Sequence, residues 1–75
     1  MKITVIAGNW ARRYGQQEKT ELLLPEGACG LDLLERLCIP AEEIGLIALD
    51  GSAVTRQATL VEGDIVRVFP VAVGG

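Results

Sequence analysis

The sequence predicts an α+β domain in which one main helix packs across a mixed sheet of four to five strands. Short segments with alternating apolar residues, rich in β-branched types, occur near both ends of the chain and again in its middle. Between them lies one stretch with apolar residues at helical spacing. Composition agrees, because 49% of the 75 residues are apolar and only 4% are aromatic, which predicts an aliphatic core in a single domain.

The chain opens with a predicted strand over residues 2–7. Ile3, Val5 and Ala7 share one parity there, which indicates a strand with one buried face. A polar stretch follows, and alternation resumes at 20–24 until Pro25 stops it. Together the two segments predict an antiparallel hairpin with a long loop.

A short amphipathic helix is predicted after this hairpin. Its apolar stripe consists of three leucines and a cysteine at helical spacing, Leu31, Leu34, Leu37 and Cys38. No Ser or Thr stands where a cap is expected. Pro40 is predicted to end the helix, because proline has no N–H and disfavours helical geometry in the residue before it.

A second hairpin is predicted in the C-terminal half. The apolar segment 44–49 is followed by Asp50-Gly51, a dipeptide that accepts positive φ in a tight two-residue turn. The chain then returns as a short strand at 53–54. This pattern indicates two antiparallel strands joined by the turn.

The last strand is predicted over 65–70, with Val66 and Val68 facing the helix, and should be long and central. The order strand, strand, helix, strand, short strand, strand allows the first and last strands to pair in parallel. This topology is the β-grasp, also called the ubiquitin-like fold. We therefore predict a β-grasp domain over residues 1–70 and a flexible C-terminal Gly-Gly tail over residues 71–75.

Charge and composition exclude several classes of function. The chain has seven basic and ten acidic residues, and its net charge of −3 does not favour a nucleic-acid partner. No apolar run approaches the roughly 20 residues of a membrane span, and no secretory pattern opens the chain, so we expect a cytoplasmic protein without a membrane partner. With no histidine, imidazole-based catalysis and most zinc sites are excluded, and we predict neither an enzyme nor a metal site.

The two cysteines, Cys29 and Cys38, stand nine residues apart and match neither a redox CxxC motif nor a zinc knuckle. We interpret both as reduced core thiols. Trp10 and Tyr14, in the first loop, form either a packing pair or an exposed docking edge. The charges at 12–13 in the same loop are either solvated or contacts to an acidic partner.

The segment 71–75 has no polar side chain and no predicted sheet partner. Five extended residues reach roughly 17 Å, far enough to carry the terminal carboxylate into another protein's active site. Gly74 and Gly75 suit a narrow channel, because they have no Cβ. We predict that Val71, Ala72, Val73 and Gly74 insert into a partner's active site and that Gly75 is the covalent site.

The terminal carboxylate needs activation before it can react, because a group with a pKa of about 3.5 is an anion and a poor electrophile at neutral pH. Adenylation by a partner that uses ATP would make the carbonyl attackable. A sulfur donor could then convert it to a thiocarboxylate. The chain would act as a cosubstrate with no stably bound cofactor, and the activating partner would consume the ATP.

A docking surface is predicted on the last strand. Ile65, Arg67 and Phe69 should face away from the helix, with Pro70 at the strand's end. An aromatic side chain beside aliphatic ones on a surface is a good anchor for a partner. We therefore expect a partner to bind this outer face.

Several motifs of the chain resemble a known family. They are the Leu-x-x-Gly-Asp turn at 60–64, the Phe69-Pro70 that ends the last strand, the terminal Gly-Gly, and an Asp-Gly at 50–51 where the family often has Asn-Gly. Over essentially its whole length the chain is similar to the ThiS/MoaD family of ubiquitin-like sulfur carrier proteins. The resemblance implies a β-grasp fold, adenylation of the C-terminus by a ubiquitin-activating-like enzyme, and a thiocarboxylate.

The implied acceptor is an enzyme such as the molybdopterin-synthase large subunit or thiazole synthase. Phe69-Pro70 and the segment 11–15 look more like the molybdopterin-synthase small subunit, whereas the compact length is closer to the thiamine carriers. Molybdopterin biosynthesis is favoured over thiamine thiazole on these residues. Val73 departs from the Ala or Ser that is frequent in the family.

Two other functions stay open at this point. A ubiquitin-like modifier would use the same activated Gly75 to form isopeptide bonds with lysines of target proteins. A β-grasp binding module would carry an inert tail, so that deleting Gly75 would change nothing. The product formed after adenylation separates the carrier from the modifier.

Overall fold

The structure is a computed structural model that describes residues 1–71. Five strands and one α-helix form the framework of this part of the chain: β1 (Lys2–Ile6), β2 (Lys19–Leu23), α1 (Gly30–Arg36), β3 (Ile44–Leu49), β4 (Ser52–Val54) and β5 (Ile65–Pro70). Two short 3₁₀ helices, Asn9–Tyr14 and Ala41–Glu43, lie in the connections. The order of strands and helix agrees with the predicted one.

The five strands form a single mixed sheet in the order β2-β1-β5-β3-β4. β1 and β5 are parallel, with Val5 in register with Val66, and the other neighbours are antiparallel. The last strand is therefore central, as predicted. Its position between β1 and β3 fixes where the described chain ends.

The core lies between the sheet and α1 and is aliphatic. Ile3 and Val5 of β1 and Val66 and Val68 of β5 are all buried, which confirms the predicted inward face of both strands. The residues of β5 that alternate with Val66 and Val68 point to the other face of the sheet. No helix of the described chain covers that face. The sheet thus has one packed face and one outer face.

The apolar stripe of α1 differs from the predicted one. Leu34 and Leu37 are buried as expected, but Leu33 is fully buried and Leu31 is 38% exposed. Cys38, predicted in the core, is exposed. With leucines at four nearby positions, seven helical residues allow two phases of the stripe, and packing against the sheet selects the one that buries Leu33.

The helix ends at Arg36, before Pro40, but the proline does not end it as predicted. Cys38 adopts a positive φ of 60°, and its N–H donates to the carbonyl of Glu35. The Ile39 N–H donates to the carbonyl of Leu34. These two bonds form a Schellman motif, which satisfies the last helical carbonyls. The left-handed residue, and not the proline, turns the chain out of the helix.

The start of α1 has a cap that the sequence analysis missed. The Cys29 N–H donates a 2.8 Å hydrogen bond to Oδ2 of Asp32. Hydrogen bonds from the Cys29 backbone and side chain hold the pKa of the Asp32 carboxyl below its ordinary value. A carboxylate in the first helical turn is also favoured by the helix dipole.

The connections follow the sequence with one difference. The predicted long loop of the first hairpin contains the 3₁₀ helix Asn9–Tyr14. In the second hairpin Asp50 and Gly51 both have positive φ, as the predicted two-residue turn requires.

No helix within residues 1–71 is long and apolar enough to cross a membrane.

Candidate functional site

The C-terminal end of β5 is held by the segment that leads into β3. The Val71 N–H donates a 2.9 Å hydrogen bond to the carbonyl oxygen of Glu43. Pro70 lies in register with Ile44. Although no partner was predicted for Val71, this bond ties its backbone to the body, while its side chain is exposed.

A close backbone approach at Gly45 completes this grip. A Cβ built on Gly45 would lie 3.1 Å from the carbonyl oxygen of Pro70 and 3.2 Å from Cα of Val71. Gly45 also lies at the register irregularity between Ile44 and Leu46, where β3 pairs with β5. Glycine suits this position because any Cβ would press on the backbone at the end of β5.

The predicted insertion and covalent residues lie beyond this point. Ala72, Val73, Gly74 and Gly75 are outside the described residues. Their roles stay predictions, whereas Val71 marks where the described chain ends, at the edge of the outer face.

The outer face of the sheet is apolar around β5. Ile65 is 50% exposed and Phe69 44%, as predicted for outward residues. Leu46 of β3, in register with Phe69, is 43% exposed and extends the apolar area of this face. The sequence analysis missed Leu46, because the irregularity beside it breaks the alternation of β3.

Arg67 lies at the centre of this face. Its neighbour in register on β1 is Ile6, and its neighbour on β3 is Ala48. Along β5 the next outward residues are Ile65 and Phe69. We call Ile6, Ala48, Ile65, Arg67 and Phe69 the outer patch. It brings together the three predicted outward residues of β5 and adds one residue from each adjacent strand.

A groove of about 300 Å³ runs along one side of the outer patch, between the ends of β1 and β5. Trp10 lines it, together with Arg67, Phe69 and Pro70. Trp10 also packs edge-on against Tyr14, with ring centroids 6.1 Å apart. The two aromatic residues are thus a packing pair, and the indole forms a wall of the groove as well.

The two arginines at 12–13 in the first loop are exposed. Arg12 forms an ion pair of 3.6 Å with Glu18, and both side chains are mostly exposed. Such surface pairs contribute little to stability. Within the described part of the chain, no group of three or more His, Cys, Asp or Glu side chains is arranged to hold a metal ion.

A partly buried arginine, Arg56, secures the segment before β3. Nη2 of Arg56 donates to the carbonyl of Ala41 at 3.2 Å and to the carbonyl of Ile44. These carbonyls flank Glu43, which accepts the bond from Val71. Arg56 therefore supports the residues that hold the end of β5, although the sequence analysis gave it no role.

The mixed five-strand sheet with a helix across one face, and a central last strand that leads out beside an apolar outer face, define a ubiquitin-like β-grasp protein. The family model described as Mut7-C ubiquitin matches residues 10–73. The chain belongs to this Mut7-C ubiquitin family. A search of curated proteins finds no match.

Solved structures share the fold over nearly the whole chain. Molybdopterin converting factor subunit 1 of Pyrococcus furiosus has 28% identity and a TM-score of 0.76, covering 93% of this chain and 97% of that one. SAMP1 of Haloferax volcanii has 15% identity and a TM-score of 0.78, covering all of both chains. A second structure, small archaeal modifier protein 1 of H. volcanii, has 13% identity and a TM-score of 0.74, covering 92% and 95%.

Proposed function

We propose that this chain is a sulfur carrier whose Gly75 carboxylate is adenylated by a partner enzyme and converted to a thiocarboxylate. The observation that carries the proposal is that one strand, β5, both forms the middle of the outer patch and ends next to the tail in the sequence. The central strand β5 supplies three residues of the patch and ends at Pro70, five residues before Gly75 in the sequence. A partner that binds the patch would therefore receive the tail.

The proposed chemistry has two steps. The Gly75 carboxylate attacks the α-phosphorus of ATP, so that an acyl-adenylate forms and pyrophosphate leaves. A hydrosulfide equivalent then attacks the carbonyl carbon and expels AMP, which leaves the thiocarboxylate. The activating partner binds ATP and catalyses both steps, and this chain supplies the Gly75 carboxylate.

The thiocarboxylate would donate its sulfur in cofactor biosynthesis, and we favour molybdopterin over thiamine thiazole. Phe69-Pro70 at the end of β5 supports this choice, as does the 28% identity with a protein described as a molybdopterin converting factor subunit. The acceptor would then be an enzyme of the molybdopterin-synthase type. The chain would be its non-catalytic subunit or its cosubstrate.

Intact-protein mass spectrometry tests the proposal. The full chain, co-expressed with a ubiquitin-activating-like enzyme of its own host, should gain the mass of one sulfur in exchange for one oxygen. A Gly75 deletion should stay unmodified. A full chain without that change, but present in conjugates with other proteins, would establish the modifier function. Neither product in the presence of a competent activating enzyme would show an inert tail.

A further inference from the structure

Arg67 is an exposed cation whose neighbours on the outer face are apolar residues. Ile6 and Ala48 flank it across the sheet, and Ile65 and Phe69 flank it along β5. Ala48 is only 8% exposed even though it points to the outer face, so its neighbours already cover it. The guanidinium is thus the one charged group of the outer patch.

No internal partner neutralises this charge in the described chain. The ion pairs found within residues 1–71 join Lys2 to Glu21 and Arg12 to Glu18. Arg67 takes part in neither, although acidic residues outnumber basic ones in the whole sequence. In the free protein, water solvates the guanidinium at no cost.

Covering the patch changes this balance. A partner that buries the apolar residues around Arg67 also removes water from the guanidinium. A buried charge without a hydrogen-bond acceptor is strongly unfavourable. An apolar surface alone would therefore bind poorly here. A surface with a carboxylate opposite Arg67 would gain charge-assisted hydrogen bonds in a dry setting, and arginine pairs with a carboxylate in a bidentate geometry.

We propose that the partner that docks on the outer patch places an Asp or Glu side chain on Arg67, with apolar side chains around it. This inference rests on the proposed function, in which an activating enzyme binds this face. Arg67 then selects the partner, because an apolar surface without an acidic residue leaves its charge unpaired.

The groove beside Arg67 fits the same partner. It is lined by Trp10 and Phe69, so an apolar side chain next to the partner's carboxylate would enter it. A Cβ on Gly8 would lie 2.8 Å from the indole of Trp10, so the ring rests close against the backbone. Trp10 is also the only tryptophan of the chain, which makes it a single reporter of the groove.

The test measures binding of the full chain to the ubiquitin-activating-like enzyme of its host by calorimetry. Arg67→Met keeps much of the apolar stem and removes the charge, and Arg67→Glu reverses it. Arg36→Met and Arg36→Glu are matched controls on α1, on the opposite side of the sheet. We expect at least about tenfold weaker binding for Arg67→Met, a larger loss for Arg67→Glu, and no more than about a twofold change for the controls.

Three further readouts test the ion pair, the groove and the integrity of the fold. Binding of the natural chain should weaken with salt more steeply than binding of Arg67→Met. In a chain labelled with 5-fluorotryptophan, the single ¹⁹F resonance of Trp10 should shift on binding. Thermal unfolding of Arg67→Met should match that of the natural chain, because Arg67 is exposed.

The outcomes separate this inference from the proposed function. If the natural chain binds and Arg67→Met binds equally well or more tightly, the inference of an acidic residue opposite Arg67 is wrong, whereas the proposed binding to the activating enzyme stands. If the natural chain does not bind the activating enzyme at all, the proposed function fails and this inference fails with it. An unchanged Trp10 resonance in the complex would remove the groove from the interface.

Discussion

The backbone N–H of Val71 donates a 2.9 Å hydrogen bond to the carbonyl oxygen of Glu43, and this bond ties the end of β5 to the 3₁₀ helix before β3. The contact directs the start of the tail, because it fixes the last backbone group before the segment with the predicted covalent residue. We call the contact between the end of β5 and the segment before β3 the junction. Gly45 lets the two backbones approach closely, and the Arg56 side chain donates to a carbonyl of the segment before β3.

Gly45→Ala tests the backbone part of this junction. The added Cβ would meet the backbone of Pro70 and Val71 at 3.1–3.2 Å, so β5 must shift. We expect the free energy of unfolding to fall by about 1–3 kcal/mol and the Val71 amide to exchange faster with deuterium. Urea unfolding and NMR hydrogen exchange measure both, with the exposed Ser52→Ala as control. Unchanged exchange at Val71 would contradict the prediction.

Arg56→Met tests the side-chain part. The substitution removes the donor to the partly buried carbonyls of Ala41 and Ile44. The Ala41 carbonyl keeps its bond from the Ile44 N–H, so the Ile44 carbonyl loses more. We expect a loss of about 1–3 kcal/mol in the free energy of unfolding. Chemical denaturation measures it. Arg67→Met is the control, an exposed arginine for which we expect a change within about 0.5 kcal/mol; equal losses in the two variants would show that Arg56 does not support the junction.

Leu33→Ala tests the observed phase of the helical stripe. Leu33 is fully buried, so its truncation leaves a cavity and should cost about 2–5 kcal/mol of unfolding free energy. Leu31→Ala, at a partly exposed position of the same helix, should cost less than about 1 kcal/mol. Thermal or urea unfolding compares them. A larger loss at Leu31 would restore the stripe predicted from the sequence.

Asp32→Asn tests the helix cap through its pH dependence. Because the pKa of Asp32 is lower in the folded than in the unfolded state, its carboxylate adds stability that is fully present above about pH 4. That stability is lost as the pH falls through the folded-state pKa. We expect Asp32→Asn to be less stable at pH 7 and to lose less of its stability on acidification than the natural chain.

Unfolding measured between pH 2 and pH 7 checks this prediction. Glu35→Gln, on the same helix, is the control and should keep the acid dependence of the natural chain. An NMR titration of the Asp32 carboxyl gives its folded-state pKa directly. A value at or above that of an unfolded aspartate would contradict the assigned cap.

Gly51→Ala tests the turn of the second hairpin. Gly51 has a φ of 79° and no atom within 4 Å of an added Cβ, so the cost is conformational and not steric. We expect about 1–2 kcal/mol lower unfolding free energy for alanine and a smaller loss for Gly51→Asn, because asparagine tolerates positive φ. Equal stabilities of both variants and the natural chain would contradict the turn geometry.

The faces of β5 were predictable because strand alternation is a local property. Val66 and Val68 face inward and Phe69 faces outward, as the period of two requires. The phase of α1 was not predictable with the same certainty, since Leu31 and Leu33 both suit a stripe in so short a helix. The left-handed residue Cys38 gave no signal, because a cysteine rarely adopts positive φ.

The candidate site was predictable in the parts that belong to one strand. Ile65, Arg67 and Phe69 were placed on one face from the alternation of β5. Leu46 was missed, because an irregularity in β3 hides its parity. The role of Arg56 was missed as well, since it depends on carbonyls far away in the chain.

By itself, the sequence determined the order in which the strands and the helix follow one another along the chain. It also determined the turn at Asp50-Gly51 and the inward and outward faces of the last strand. These features depend on residues that are neighbours along the chain. Only the tertiary structure decided that Arg67 has Ile6 and Ala48 on its two sides, and that Val71 is held beside Gly45. Those relationships depend on strand order and register, which are set by packing between segments far apart in sequence.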